Sequence, residues 1–158
     1  MRLGSLSLAA PTVGGMSCIQ ISANAPEGYR KVAQLDAYIE GALTPELMNL
    51  VYLRASLING CTYCVDAHSV DLAKLVDVRK VFSLTTWRES EWFDARERAA
   101  LDLTESITRI EHGVSDEVWD AAGAVFTDKE LADLVLAIGT INVWNRIAIP
   151  TRMLPPAL

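Results

Sequence analysis

Leu53-Arg-Ala-Ser-Leu-Ile-Asn-Gly-Cys-Thr-Tyr-Cys-Val-Asp-Ala-His68 is the stretch on which the fold turns. Its first seven residues finish a helix that opens at Thr44-Pro45, an N-cap followed by proline at the first helical position, where the missing N–H costs nothing. Gly60 then interrupts the pattern. A residue without a side chain permits a tight reorientation, so a new helix is expected from about Thr62 to Leu75. Upstream, Val32, Leu35, Ile39 and Leu43 recur at spacings of three and four and predict a helix over Glu27 to Leu43, with Gly41 fraying its end. Downstream, Asp94 with Glu97 reads as a capping box. Ala99, Leu103, Ile107 and Ile110 then mark one face of a long helix that stops at Gly113. Ser115 caps a shorter helix through Val125, and Thr127 with Glu130 launches an apolar helix that ends before Pro150. No strand pattern and no repeat is present, so the expected class is all-α with about six helices. Residues 1–25, rich in Gly, Ser and other small residues, read as an N-terminal arm, and 26–158 as one helical domain.

The composition limits what such a domain can do. At 158 residues a real core is available without disulfide staples or a structural metal. A net charge of −6 and the lack of any Lys/Arg run argue against nucleic acid as a partner. Half the residues are hydrophobic and the mean hydropathy is +0.21, more apolar side chain than a small globule easily hides, which points to a subunit interface or a membrane. The longest apolar stretch, Leu131 to Ile149, has nearly the length to span a bilayer. It carries Asp133, Asn142, Asn145 and Arg146, each costly in hydrocarbon, so a helix buried in protein is expected instead. Arg2 with Leu3, Leu6 and Leu8 faintly resembles an export signal, but Gly, Ser and Pro11 interrupt it. Three cysteines are too few, and odd in number, for a secreted disulfide framework, and a reducing cytoplasm is the expected location.

Reactive side chains concentrate in Cys61-Thr-Tyr-Cys64-Val-Asp-Ala-His68. At i, i+3 and i+7 of a helix, Cys61, Cys64 and His68 share one face. A helix N-terminus and a neighbouring imidazole favour the thiolate, which is the nucleophilic form of cysteine. A second thiol one turn away would trap a sulfenic acid as a disulfide before over-oxidation. The same residues could supply three ligands of a zinc tetrahedron, but no second cluster offers a fourth, since Cys18 and His112 are isolated; two inert buried thiols are the other reading. In the preceding helix, Asn49 and Ser56 share a stripe leading toward the cysteines. Glu46, one turn before Asn49, could orient His68 or relay a proton to it, or could simply complement the helix dipole.

The segment Leu53–His68 resembles the signature of the alkylhydroperoxidase AhpD-like proteins in the carboxymuconolactone decarboxylase superfamily. Trp87-Arg-Glu-Ser, Glu97-Arg-Ala-Ala-Leu, Gly113-Val-Ser-Asp-Glu-Val-Trp and Ile141-Asn-Val-Trp-Asn-Arg are similar to segments found there in the same order, so the likeness runs from about Tyr29 to Ile149. The resemblance implies an all-helical domain assembling into a homo-oligomer, a trimer, hexamer or dimer, that reduces peroxides with its cysteine pair. It implies that Cys64 attacks the peroxide, Cys61 resolves the sulfenic acid, and His68 belongs to the proton relay. An external dithiol, lipoyl-linked or thioredoxin-like, would reduce the pair again. Neither a cofactor nor a metal is expected.

Two positions depart from the family pattern. Its usual glutamate twelve residues before the first cysteine is Asn49 here, an amide that can orient a neighbour but cannot accept a proton, and the founding enzymes' histidine between the cysteines is Tyr63. The alternatives to a peroxidase are a cofactor-free decarboxylase of a lactone acid, against which the cysteine pair argues, and a non-enzymatic helical oligomer whose thiols sense oxidation or bind metal. Cys18 is expected to pack as a small hydrophobe, His112 to interact with helix-terminal carbonyls, and Trp144, Asn145 and Arg146 to serve structure.

Overall fold

A computed structural model describes residues 18–157, and within that span every regular element is helical. The elements are α1 (Ile21–Asn24), α2 (Pro26–Ala42), α3 (Pro45–Asn59), α4 (Thr62–Ala73), α5 (Val78–Ser83), α6 (Ala95–Thr108), α7 (Asp116–Gly123) and α8 (Asp128–Ala148), with 3-10 turns at Leu84–Glu89 and Ile110–His112.

The organising element is α3, which packs against α4, α6 and α8. Its sequence is apolar nearly all round, the mark of a helix enclosed by others. One face, with Leu47, Met48, Val51, Tyr52 and Ala55, meets Ala100 and Leu103 of α6 and Leu134, Ile138 and Ile141 of α8. The opposite face sends Leu50 and Leu53 into a second cluster with Leu72, Leu84, Trp87, Phe93 and Leu101. Each fully buried leucine contributes about 2 kcal/mol of hydrophobic stabilisation, so α3 is the element the fold can least afford to lose. The second cluster is bordered by a buried ion pair. Arg54 donates through Nε and Nη2 to one oxygen of Glu105, at 2.9 and 2.6 Å, and Trp87 Nε1 donates to the same oxygen at 2.7 Å. Burial acts to raise the Glu105 pKa, but the bonds from Trp87 and Arg54 outweigh it and hold the carboxyl below its ordinary range.

Local signals place the helix ends. Thr44 caps α3 by accepting from the Leu47 N–H, Ser115 caps α7, and the capping boxes of Asp94 with Glu97 and Thr127 with Glu130 are both formed. Gly60 sits in the left-handed region at φ 71°, ψ 33°, and the Cys61 N–H reaches back 3.0 Å to the Ser56 carbonyl, closing the six-residue turn that ends α3. That turn delivers Cys61 directly to the start of α4.

Several expectations are corrected. The helices number eight rather than about six among the described residues, because α1 is a single turn inside what read as an irregular arm and α5 is too short to show a helical period. Of that arm, residues 1–17 lie outside the described residues. Gly41 does not fray α2, which runs through it to Ala42. The helix expected to reach Gly113 stops at Thr108. Arg109 leaves helical geometry, Ile110 is exposed rather than on the core face, and Gly113 follows at φ 71°.

α8 is long and apolar enough to cross a membrane by length and composition, yet half of its most apolar window is buried against α2, α3, α6 and other elements. The four polar residues that weigh against a membrane span are engaged. Asp133 accepts from Tyr38 Oη at 2.8 Å and Lys129 Nζ at 2.7 Å; Asn59 Nδ2 donates to Asn142 at 2.9 Å and Asn145 at 2.8 Å; Arg146 returns to Asn142 at 2.8 Å.

Candidate active site

Cys61 occupies the N-cap of α4, where its sulfur accepts from the Cys64 N–H at 3.4 Å, and Cys64 lies in the first turn. The two cysteines stand at disulfide distance, their Cα atoms 5.4 Å apart, and both are buried. Only Cys64 of the pair forms part of the wall of a small cavity. Tyr29 and Asp36 of α2, Tyr52 of α3, Tyr63, Ala67 and His68 of α4, and Trp144 of α8 complete most of it. The cavity encloses about 50 Å³, room for a few water-sized groups.

His68, one turn beyond Cys64, is oriented from α3. Its Nδ1 lies 3.1 Å from Asn49 Oδ1, while Asn49 Nδ2 donates to the Pro45 carbonyl at 2.9 Å. Because the Asn49 amide nitrogen is committed to Pro45, the atom facing the imidazole is the carbonyl oxygen, which can only accept. Nδ1 therefore carries the hydrogen and Nε2 keeps its lone pair. Burial pushes the His68 pKa down to about 4, against a smaller opposing effect of Asp71. The imidazole is thus neutral at physiological pH and available as a base.

The other wall is acidic and phenolic. Tyr52 packs edge-on to the His68 ring, centroids 5.0 Å apart, and donates its hydroxyl to Asp36 Oδ1 at 2.8 Å. Burial first, and the Asp36 charge second, raise the phenol's pKa and keep it a donor. Burial likewise raises the pKa of Asp36, the Tyr52 bond opposing it. Trp144 stacks edge-to-face with Tyr29 at 5.2 Å, and its buried indole N–H has no hydrogen-bond partner.

Of the residues singled out from sequence, the structure brings Cys64, His68 and Tyr63 to this cavity, with Cys61 and Asn49 directly behind it. Ser56 is elsewhere. Fully buried, its hydroxyl accepts from Asn145 Nδ2 at 3.0 Å in a polar clasp between α3 and α8. Glu46 accepts from Lys80 Nζ at 3.1 Å, and Asn49 is the residue that orients His68. His112 is exposed beside Glu111 rather than bound to carbonyls, and Cys18 is a half-buried free thiol. Among the described residues no group of three His, Cys, Asp or Glu is arranged to hold a metal. Sequence reasoning missed Asp36 and Tyr52, and assigned Trp144 a structural role only. The available signal was Asp36 itself, an acid one residue after Leu35 on the helix that carries the Val32–Leu35–Ile39 stripe.

The family model described as "Carboxymuconolactone decarboxylase family" matches residues 23–106. The uncharacterized protein YdfG of Bacillus subtilis is 34% identical over 128 residues, covering 79% of this chain and 87% of YdfG. A solved structure from Agrobacterium tumefaciens, a protein of unknown function named as a candidate AhpD antioxidant defence protein, superimposes with a TM-score of 0.86 at 34% identity, covering 90% of this chain and all of that one. An uncharacterized peroxidase-related protein from Silicibacter sp. TM1040 matches with a TM-score of 0.76 at 25% identity, over 90% of this chain and 78% of that one. The chain belongs to the carboxymuconolactone decarboxylase family and is AhpD-like within it.

Proposed function

We propose that the protein is a thiol-dependent peroxidase acting on hydrogen peroxide or alkyl hydroperoxides through Cys64 and Cys61. The observation that carries this reading is that one sulfur of the pair, Cys64, shares a small cavity with a neutral, oriented histidine, while its partner sulfur waits at bonding distance outside the cavity wall. In the reduced enzyme, His68 Nε2 takes the Cys64 proton. The thiolate attacks one peroxide oxygen, the O–O bond breaks, and the departing oxygen leaves as an alcohol or water once protonated, with Cys64 now a sulfenic acid. Cys61 then attacks the Cys64 sulfur. The S–S bond forms as S–O breaks, the hydroxide leaving as water with the Cys61 proton. Two electrons have passed from the thiols to the peroxide. An external dithiol, lipoyl-linked or thioredoxin-like, returns the pair to thiols by exchange.

Asn49 replaces the usual glutamate in position and in orienting function, but it adds no charge, so His68 works as a neutral base rather than as part of a charged relay. The exposed Leu136 and Val143, one face of α8 spaced seven residues apart, suit the homo-oligomer that the overall hydropathy called for. The test is steady-state consumption of hydrogen peroxide and of cumene hydroperoxide with dihydrolipoamide as reductant. Turnover by the wild type and its loss in Cys64→Ser are expected. Equal rates in the two proteins would overturn the assignment.

A further inference from the structure

Resting on that reading, we propose that Asp36, held in place by Tyr52, is the acid that protonates the oxygen leaving the peroxide, and that the Trp144 indole N–H docks that oxygen. The site is thereby built for uncharged hydroperoxides with poor leaving groups.

A thiol peroxidase must move two protons, one off the attacking sulfur and one onto the leaving oxygen. His68 makes the first transfer at Nε2, its Nδ1 hydrogen being committed to Asn49, and can return that proton only to an oxygen within reach of the same Nε2. The cavity contains a second proton-handling group across from it. Asp36 comes from α2, a different helix from that of Cys64 and His68, and lines the same space. Tyr52 spans the two groups, with its ring against His68 and its hydroxyl on Asp36 Oδ1 at 2.8 Å. That bond fixes the carboxyl's orientation and leaves the other oxygen to carry the proton. Burial and the nearby Glu40 favour the protonated form, while Tyr52 and Trp144 oppose it. The Trp144 N–H is buried near enough to Asp36 to favour its carboxylate but closes no hydrogen bond with it, an arrangement that costs stability unless something else accepts from it. A leaving oxygen in a cavity lined by Trp144 and Asp36 would.

The step balances. The Cys64 sulfur forms its bond to the near oxygen, the O–O pair departs with the far oxygen, and the Asp36 proton converts that oxygen to ROH. Asp36 is left as carboxylate and His68 as imidazolium, and solvent returns the proton from one to the other. Among the described residues no Lys or Arg lines the cavity, so an anionic peroxide meets the Asp36 carboxyl without a compensating cation there.

The experiment compares wild type, Asp36→Asn and Asp36→Glu in single-turnover oxidation of the reduced protein, followed by stopped-flow. One substrate is cumene hydroperoxide, whose alkoxide is a poor leaving group; the other is peracetic acid, whose acetate leaves without help. Asp36→Asn is expected to slow the cumene hydroperoxide reaction by about 100-fold and the peracetic acid reaction by no more than a few fold, with Asp36→Glu partly restoring the former. Trp144→Phe, which keeps the ring and removes the N–H, is expected to slow cumene hydroperoxide more than peracetic acid. Equal slowing of both substrates by Asp36→Asn assigns a structural role and overturns the proposal, as does no slowing of either. A wild type that oxidises with neither substrate instead overturns the peroxidase reading beneath it.

Discussion

His68 is buried beside Tyr52 with a pKa of about 4 in the fold, against 6.5 for the ordinary side chain. The gap makes the folded protein resist a proton that the unfolded chain accepts readily, and it amounts to about 3 kcal/mol. The sign follows from which state binds more protons. Above pH 6.5 neither state is protonated at this position, and the whole contribution is present. Between pH 6.5 and 4 the unfolded state gains the proton first, so stability falls as the solution is acidified, and below pH 4 the loss is complete. The perturbation that isolates this contribution is His68→Gln, which cannot titrate but can still donate to Asn49. Urea unfolding of both proteins, followed by circular dichroism from pH 7.5 to 4, gives two curves of stability against pH. Other carboxylates, Asp36 included, are common to both proteins and cancel in the difference. The wild type is expected to lose about 3 kcal/mol more than His68→Gln over that range. Parallel curves would mean that His68 is not held neutral by burial, and its role as a base at physiological pH would lose its physical basis.

Asn49→Glu places a carboxylate against His68 Nδ1 and should raise the imidazole pKa well above 4, read as the pH dependence of its NMR resonances; an unchanged titration would show that Asn49 does not orient the ring. Arg54→Met removes two bonds to one oxygen of Glu105, which keeps Trp87, Arg88 and Arg109, and should cost about 1 to 2 kcal/mol in denaturant unfolding, whereas no loss would mark the Arg54 bonds as dispensable. Thr127→Ala removes the cap of α8 and should cost about 1 kcal/mol, seen as a lower thermal midpoint; no change would mean that the Glu130 half of the box suffices.

Much of the architecture was legible because its signals are local. Thr44-Pro45, Gly60, Asp94 with Glu97 and Thr127 with Glu130 each fix a helix end through bonds spanning a few residues, and each helix forms where they put it. Reading failed where the determinant is tertiary. Ile110 continues a helical period, but Arg109 has already left the helix and the side chain faces outward. α5 has only six residues, too few for a periodic stripe, and it is ordered by packing beside Trp87 and Phe93 of the second cluster. The site divides in the same way. Cys61, Cys64 and His68 lie within eight residues and declare themselves by spacing, whereas Tyr52 meets His68 only because α3 packs on α4, and Asp36 meets Tyr52 only because α2 packs on α3. Glu46, one turn before Asn49, reads from spacing as a group that could orient His68. Lys80, which approaches from α5, engages Glu46 and leaves the histidine to Asn49.

The central claim, that Cys64 is the sulfur struck by peroxide and Cys61 the one that closes on it, is tested most directly by mass spectrometry after one equivalent of hydrogen peroxide is added to the reduced protein. In the wild type the expected product is an intramolecular Cys61–Cys64 disulfide that dihydrolipoamide reverses, and in Cys61→Ser a dimedone adduct on Cys64. Thiols that remain reduced at both positions, or a first adduct on Cys61 or Cys18, would contradict it.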